Sequence, residues 1–154
     1  AEEIWEALPA VHGEGKKLFA AINANVPGEK IEELCGLIEE LDEKGIDALI
    51  LSDYGLMNRV SKIVRHAQLH ASTLTGVYNH EDVRMLQEMG VSRIILSSDL
   101  FVDEIVDLTD KVPDMDYEIV ADGGICSIPT ASACFLISGK RKDTVCTVRK
   151  NMNF

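Results

Sequence analysis

The chain has 154 residues, 46% of them hydrophobic and 27% charged, which suits one domain that buries its own core without disulfides. A formal net charge of −11 argues against general affinity for nucleic acid, and no apolar run approaches the roughly 20 residues of a membrane helix. No export signal is visible, so the four cysteines read as thiols or metal ligands, and the expected location is cytoplasmic. The chain starts at Ala1, which leads us to expect a processed protein or a fragment.

Residues 1–15 read as a short amphipathic helix with Ile4, Trp5, Leu8 and Val11 on one side, its end blurred by Pro9. LFAAINANV (18–26) is a buried strand ending in a Pro-Gly turn. Ile31, Leu34, Cys35, Ile38 and Leu41 then fall at helical spacing, which makes Cys35 a core residue, and Gly45 suits the stop. ALILSD (48–53) is a second strand, Leu56 to His66 a short helix, and QLHAST (68–73) a third strand. HEDVRMLQEMG (80–90) is a helix closing on glycine, and RIILSS (93–98) a fourth strand. Phe101, Ile105, Leu108 and Val112 mark a helix that Pro113 halts, with Asp99 as a natural N-cap, and YEIVAD (117–122) is the fifth strand.

Strict β–α alternation with near-continuous apolar strands belongs to a parallel sheet covered by helices. The choice lies between a doubly wound sheet and part of a (β/α) barrel, since a complete barrel needs about 250 residues. In either, chemistry gathers beyond the carboxyl ends of the strands. Those ends carry Asn23 and Asn25, Ser52 and Asp53, Ser72 and Thr73, Ser97, Ser98 and Asp99, and finally Asp122 with Gly123 and Gly124. Inside otherwise apolar strands sit His70 and Glu118. A carboxylate there must face the rim, pair with a cation or stay protonated. His70 reads either as its acid/base partner or as a satisfied buried histidine.

Past the fifth strand come Cys126, Cys134 and Cys146, spaced C-x7-C-x11-C, which matches no compact zinc or ferredoxin signature. Soft thiolates favour iron–sulfur or zinc, and no fourth ligand is evident. Residues 139–154 hold five basic side chains against Asp143 alone, a basic end that could meet an anion. We therefore expect one domain, with the β–α region at 1–124, doubly wound or barrel-like, and a cysteine-containing basic segment at 125–154. No Ser-His-Asp order, HExxH or phosphate-binding glycine loop stands out.

Taken in order, DALILSDYGLMNRV, LHASTLTGVYN, GVSRIILSSDLFVDEI and YEIVADGGICSIPTASAC resemble the collagenase-like peptidase family U-32, from about Lys16 to Cys134. The resemblance implies a (β/α) barrel-like catalytic domain. It also implies one of two activities: proteolysis, for which the family was named, or the oxygen-independent hydroxylation of RNA or a quinone precursor that several bacterial members support. Some of those members carry a 4Fe–4S cluster on cysteines, so a cluster on Cys126, Cys134 and Cys146 is what the resemblance suggests here. The chain departs from the family at Ser98-Asp99-Leu100 in place of Arg-Glu-Leu, at Ser72-Thr73-Leu74 in place of Ser-Thr-Gln, and at Asp122-Gly123 in place of His-Gly. About two βα units that precede Lys16 in the family are missing, so a further N-terminal part or a protein partner is expected to complete the barrel.

The leading expectation is a divergent member of this type, acting on a small-molecule, peptide or RNA substrate. Glu118, Asp122, His70 and Asp53 would be its catalytic residues, and Asn23, Ser72, Thr73 and Ser98 its substrate contacts. The alternatives are a peptidase or other hydrolase, and a non-catalytic subunit that completes a partner's barrel.

Overall fold

A computed structural model describes residues 2–121, which form one compact unit. The order is α1 (Glu2–Gly13), β1 (Phe19–Ile22), α2 (Ile31–Glu43), β2 (Ala48–Leu51), α3 (Tyr54–Val60), β3 (Gln68–Ala71), α4 (His80–Glu88), β4 (Val91–Ile95), α5 (Val102–Lys111) and β5 (Asp116–Glu118). Short 3-10 turns at Gly28–Lys30 and Thr73–Thr75 precede α2 and α4.

All five strands are parallel and lie in the sheet in chain order, β1-β2-β3-β4-β5. Right-handed crossovers that always step in the same direction put every helix on the same face. Burial agrees. Leu49, Leu51, Leu69, Ala71 and Ile94 alternate onto the helix side and pack with Ile38, Leu41, Leu56, Val60, Val83, Leu86 and Leu108. The opposite face carries Phe19, Ala21, Gln68, Asp116 and Glu118, which are exposed. A doubly wound sheet would cover both faces, so the chain is the singly wound kind, an α/β arc of five strands as in a (β/α) barrel.

Local chemistry sets the element ends, and here several expected boundaries move. The strands are shorter than the apolar runs. At β3, Ser72 turns the chain by accepting a hydrogen bond from Leu74 N–H, and the backbone enters a 3-10 turn instead of staying extended. Helix α3 begins at Tyr54 rather than Leu56, because Asp53 caps it by accepting from Leu56 N–H at 2.9 Å. It ends at Val60 rather than His66. The carboxylate of buried Asp42 on α2 accepts from the N–H groups of Arg65, His66 and Ala67 at 2.8, 3.0 and 2.7 Å, which holds that stretch as a loop.

The N-cap of α5 is Phe101, not Asp99. Glu104 reaches back to the Phe101 N–H at 2.8 Å, while Asp99 accepts from the hydroxyls of Ser97 and Tyr78 in the loop before it. Gly45 and Gly90, both with positive φ, follow α2 and α4 where the left-handed conformation closes a helix.

Helix α1 runs through Pro9, which lies on its exposed side. Leu8 is buried, Ile4 and Trp5 pack on the core, and the Lys44 ammonium lies 4.8 Å from the Trp5 ring centre. Cys35 is buried in the core, as its place on the α2 stripe implied. No helix among the described residues is long and apolar enough to cross a membrane.

Candidate active site

The bare face of the sheet collects the polar strand residues because side chains on a strand alternate. Register places His70 of β3 opposite Arg93 of β4, Arg93 opposite Asp116 of β5, and Ile95 opposite Glu118. Arg93 binds the Asp116 carboxylate through Nη2 at 2.6 Å and Nε at 2.8 Å, and reaches Glu118 through Nη1 at 3.4 Å. The hydrogen bond to Asp116, against a smaller cost of burial, raises the Arg93 pKa, so the guanidinium is a fixed cation. Two carboxylates around one guanidinium leave this cluster with an excess negative charge. The Glu118 and Asp116 side chains are 46% and 56% exposed, so both can still accept hydrogen bonds from a ligand.

His70 is only 1% exposed. Its Nε2 lies 3.2 Å from Gln68 Oε1, and its ring meets Phe19 edge-on at 5.3 Å between centroids. Burial, helped by the Arg93 charge and opposed by Glu118 and Asp116, pushes its pKa down. The ring is therefore neutral near pH 7. The tautomer protonated at Nε2 is the one that donates to the Gln68 oxygen.

The structure thus brings two expected site residues, His70 and Glu118, onto one face of the sheet, in successive rows on either side of Arg93. Of the choices open to Glu118, it takes pairing with a cation. The other expected residues lie elsewhere. Asp53 stands at the carboxyl-end rim with both oxygens on backbone amides, Oδ1 on Leu56 and Oδ2 on Val26 at 3.0 Å. Ser72 is buried and caps the turn after β3, and Thr73 is the first residue of that turn. Asn23 and Ser98 are exposed beyond β1 and β4. Asp122, Cys126, Cys134 and Cys146 lie outside the described residues. Among those described, no group of three or more His, Cys, Asp or Glu side chains could hold a metal ion.

Arg93, Asp116, Gln68 and Phe19 were not among the site residues expected from the sequence. The signal existed: Arg93 interrupts an apolar strand, and Asp116 lies two residues from Glu118, hence on the same face.

At the rim, hydroxyl contacts join successive loops. Tyr54 O–H donates to the Thr75 carbonyl at 3.3 Å, Thr75 O–H to the Leu51 carbonyl at 3.3 Å, and Tyr78 O–H to Asp99 at 3.1 Å. The bond from Ser97, then those from the Asp99 backbone amide and from Tyr78, keep the Asp99 carboxyl below the usual range despite some burial.

The chain is 32% identical over 125 residues to tRNA hydroxylation protein P of Escherichia coli, covering 81% of this chain and 28% of that protein. It is 27% identical over 135 residues to the 23S rRNA 5-hydroxycytidine C2501 synthase of the same organism, covering 88% and 20%. The chain thus spans about a fifth to two fifths of the length of the curated relatives it matches. A solved structure titled as that of the U32 peptidase Mk0906 superposes with a TM-score of 0.70 at 12% identity, covering 85% of this chain and 56% of that one, a likeness of fold. The model of Peptidase family U32 matches residues 1–141, so the chain belongs to peptidase family U32.

Proposed function

We propose that the chain is part of an RNA-modifying protein of the hydroxylation type, acting on a pyrimidine of tRNA or rRNA. The observation that carries this is the similarity of 27–32% to proteins named for tRNA hydroxylation and for 5-hydroxycytidine synthesis in 23S rRNA. Among the expected site residues, both oxygens of Asp53 hold backbone amides and His70 is buried with Gln68 on one nitrogen, so the carboxylates open to a ligand are those beside Arg93. The half-exposed carboxylates of Glu118 and Asp116 suit hydrogen bonds to the amino and imino groups of a base rather than to phosphate.

A 4Fe–4S cluster on Cys126, Cys134 and Cys146 belongs to this proposal and rests on sequence alone. The described residues supply no thiolate for it, because Cys35 is in the core. Such a cluster would supply electron transfer. Iron and acid-labile sulfide in anaerobically purified protein, lost in Cys126→Ala, are the expected result, and iron-free protein from that preparation would discard the cluster.

The function itself is tested in a bacterial strain lacking its own tRNA hydroxylation protein. Expression of the complete protein to which this chain belongs should restore a hydroxylated pyrimidine in nucleoside digests of tRNA or rRNA, read by mass spectrometry. Soluble protein that restores none, yet cleaves casein, would replace this reading with a peptidase.

A further inference from the structure

Among the described residues two buried side-chain atoms lack a hydrogen-bond partner, Ser52 Oγ and His70 Nδ1. Buried polar atoms are nearly always satisfied, so a pair of orphans asks for an explanation. The sheet register makes them neighbours. Leu51 pairs with Ala71, and the ladder continues one step further as Ser72 N–H donates to the Leu51 carbonyl at 2.8 Å. Alternation from Ile50 puts Ser52 on the same bare face as His70, one row nearer the carboxyl ends. Strands about 4.8 Å apart, rising about 3.3 Å per residue, set the two Cα atoms roughly 8 Å apart. No direct bond joins the two side chains, and a separation of this size leaves room for one atom between them.

The donor and acceptor inventory selects that atom. In the neutral tautomer that donates from Nε2 to Gln68 Oε1, His70 Nδ1 offers a lone pair and needs a donor. Ser52 offers a hydroxyl that both donates and accepts. A bare anion cannot donate to Nδ1, and an apolar atom would leave both groups unpaired at about 1–3 kcal/mol each. An oxygen that carries a proton satisfies both. Ser72, itself buried and next to Ser52 in the same row, adds a further hydroxyl.

We propose that Ser52 and His70 form a binding site for a single hydroxyl oxygen, which donates to His70 Nδ1 and bonds Ser52 Oγ. The oxygen comes from an internal water or from a hydroxyl of a ligand that enters from the rim. Either source fixes the imidazole in one tautomer beside Arg93. The site does not depend on the RNA reading, because it follows from strand register and hydrogen-bond chemistry alone.

Crystals of the full chain that diffract well enough to show ordered water test it directly. The expected result is an oxygen within about 2.6–3.2 Å of both atoms. Its presence in ligand-free crystals identifies water, and its appearance only with a bound cytidine-containing oligonucleotide identifies a ligand hydroxyl. An empty gap in both crystals, or a Ser52 hydroxyl turned onto a backbone carbonyl, overturns the proposal. In solution, 15N spectra of labelled His70 should show the Nε2–H tautomer with a hydrogen-bonded Nδ1. Ser52→Ala should shift the Nδ1 signal toward its unbonded position while Ser52→Thr leaves it in place. A Nδ1 signal unmoved by Ser52→Ala also overturns the proposal.

Discussion

Replacing Asp42 by alanine removes the acceptor of three backbone N–H groups at once, those of Arg65, His66 and Ala67. Asp42 is 4% exposed, and the distances of 2.7 to 3.0 Å are those of charge-assisted bonds. Each amide left without a partner costs about 1–3 kcal/mol, and solvent reaching this part-buried loop recovers some of that. The net loss should be about 3 kcal/mol, a large fraction of the 5–15 kcal/mol typical of a domain, with a fall of roughly 6–12 °C in the melting midpoint. Asp42→Asn keeps an oxygen for two amides but sets an NH2 against the third, so about 2 kcal/mol is expected.

Acid should expose the same strut. Burial pushes the Asp42 carboxyl up, but the bonds from Ala67, Arg65 and His66 together outweigh it and leave the pKa below its ordinary 3.8. A carboxyl depressed in the folded state adds stability above its unfolded pKa and loses it as pH falls through the folded one. The gap between wild type and Asp42→Asn in urea titrations should thus be flat from pH 6 to 8 and narrow below about pH 4. An Asp42→Ala protein within 0.5 kcal/mol of wild type at neutral pH would refute the reasoning.

Two further predictions concern the bare face and the rim. In Arg93→Met the His70 imidazole should titrate at higher pH than in wild type, because a neighbouring cation is removed while Glu118 and Asp116 stay; an NMR titration that moves the other way would sink this account of the row. A double-mutant cycle between Arg93 and Asp116 should give a coupling below about 1 kcal/mol, since the carboxylate is half exposed. Asp53→Ala should cost about 1–2 kcal/mol in thermal melts through the lost α3 cap and the freed Val26 amide. Loss of activity with no loss of stability would instead make Asp53 a reacting group.

Element types and order were legible in the sequence because each strand is a continuous apolar run and each helix keeps a 3.6-residue stripe, as Ile38, Leu41 and Cys35 show on α2. The winding was not. Singly and doubly wound sheets share the same local patterns, and only the strand order, with an exposed Phe19 and Glu118 opposite a buried Leu49 and Ile94, separates them. Boundaries moved where a side chain overruled propensity. Asp42 ended the α3 segment from across the fold, and nothing near residues 61–67 announces an acceptor on α2. Half of the bare-face site was visible as His70 and Glu118. Arg93, which joins them, was hidden because a charged residue in a strand gives no sign of its partner until register is known.

Strand order in chain order has a further consequence, for how such a molecule assembles. Register pairs Phe19 with Ala48, Ala48 with Gln68, Leu69 with Val91 and Arg93 with Asp116, so successive partners lie only 20 to 29 residues apart. Every strand docks on the one made just before it, and forming the arc never requires its distant ends to meet. Loop closures of that length differ in entropic cost by only a few tenths of a kcal/mol. Low contact order of this kind favours rapid folding that advances one βα unit at a time, much as a stacked repeat grows by adding neighbours.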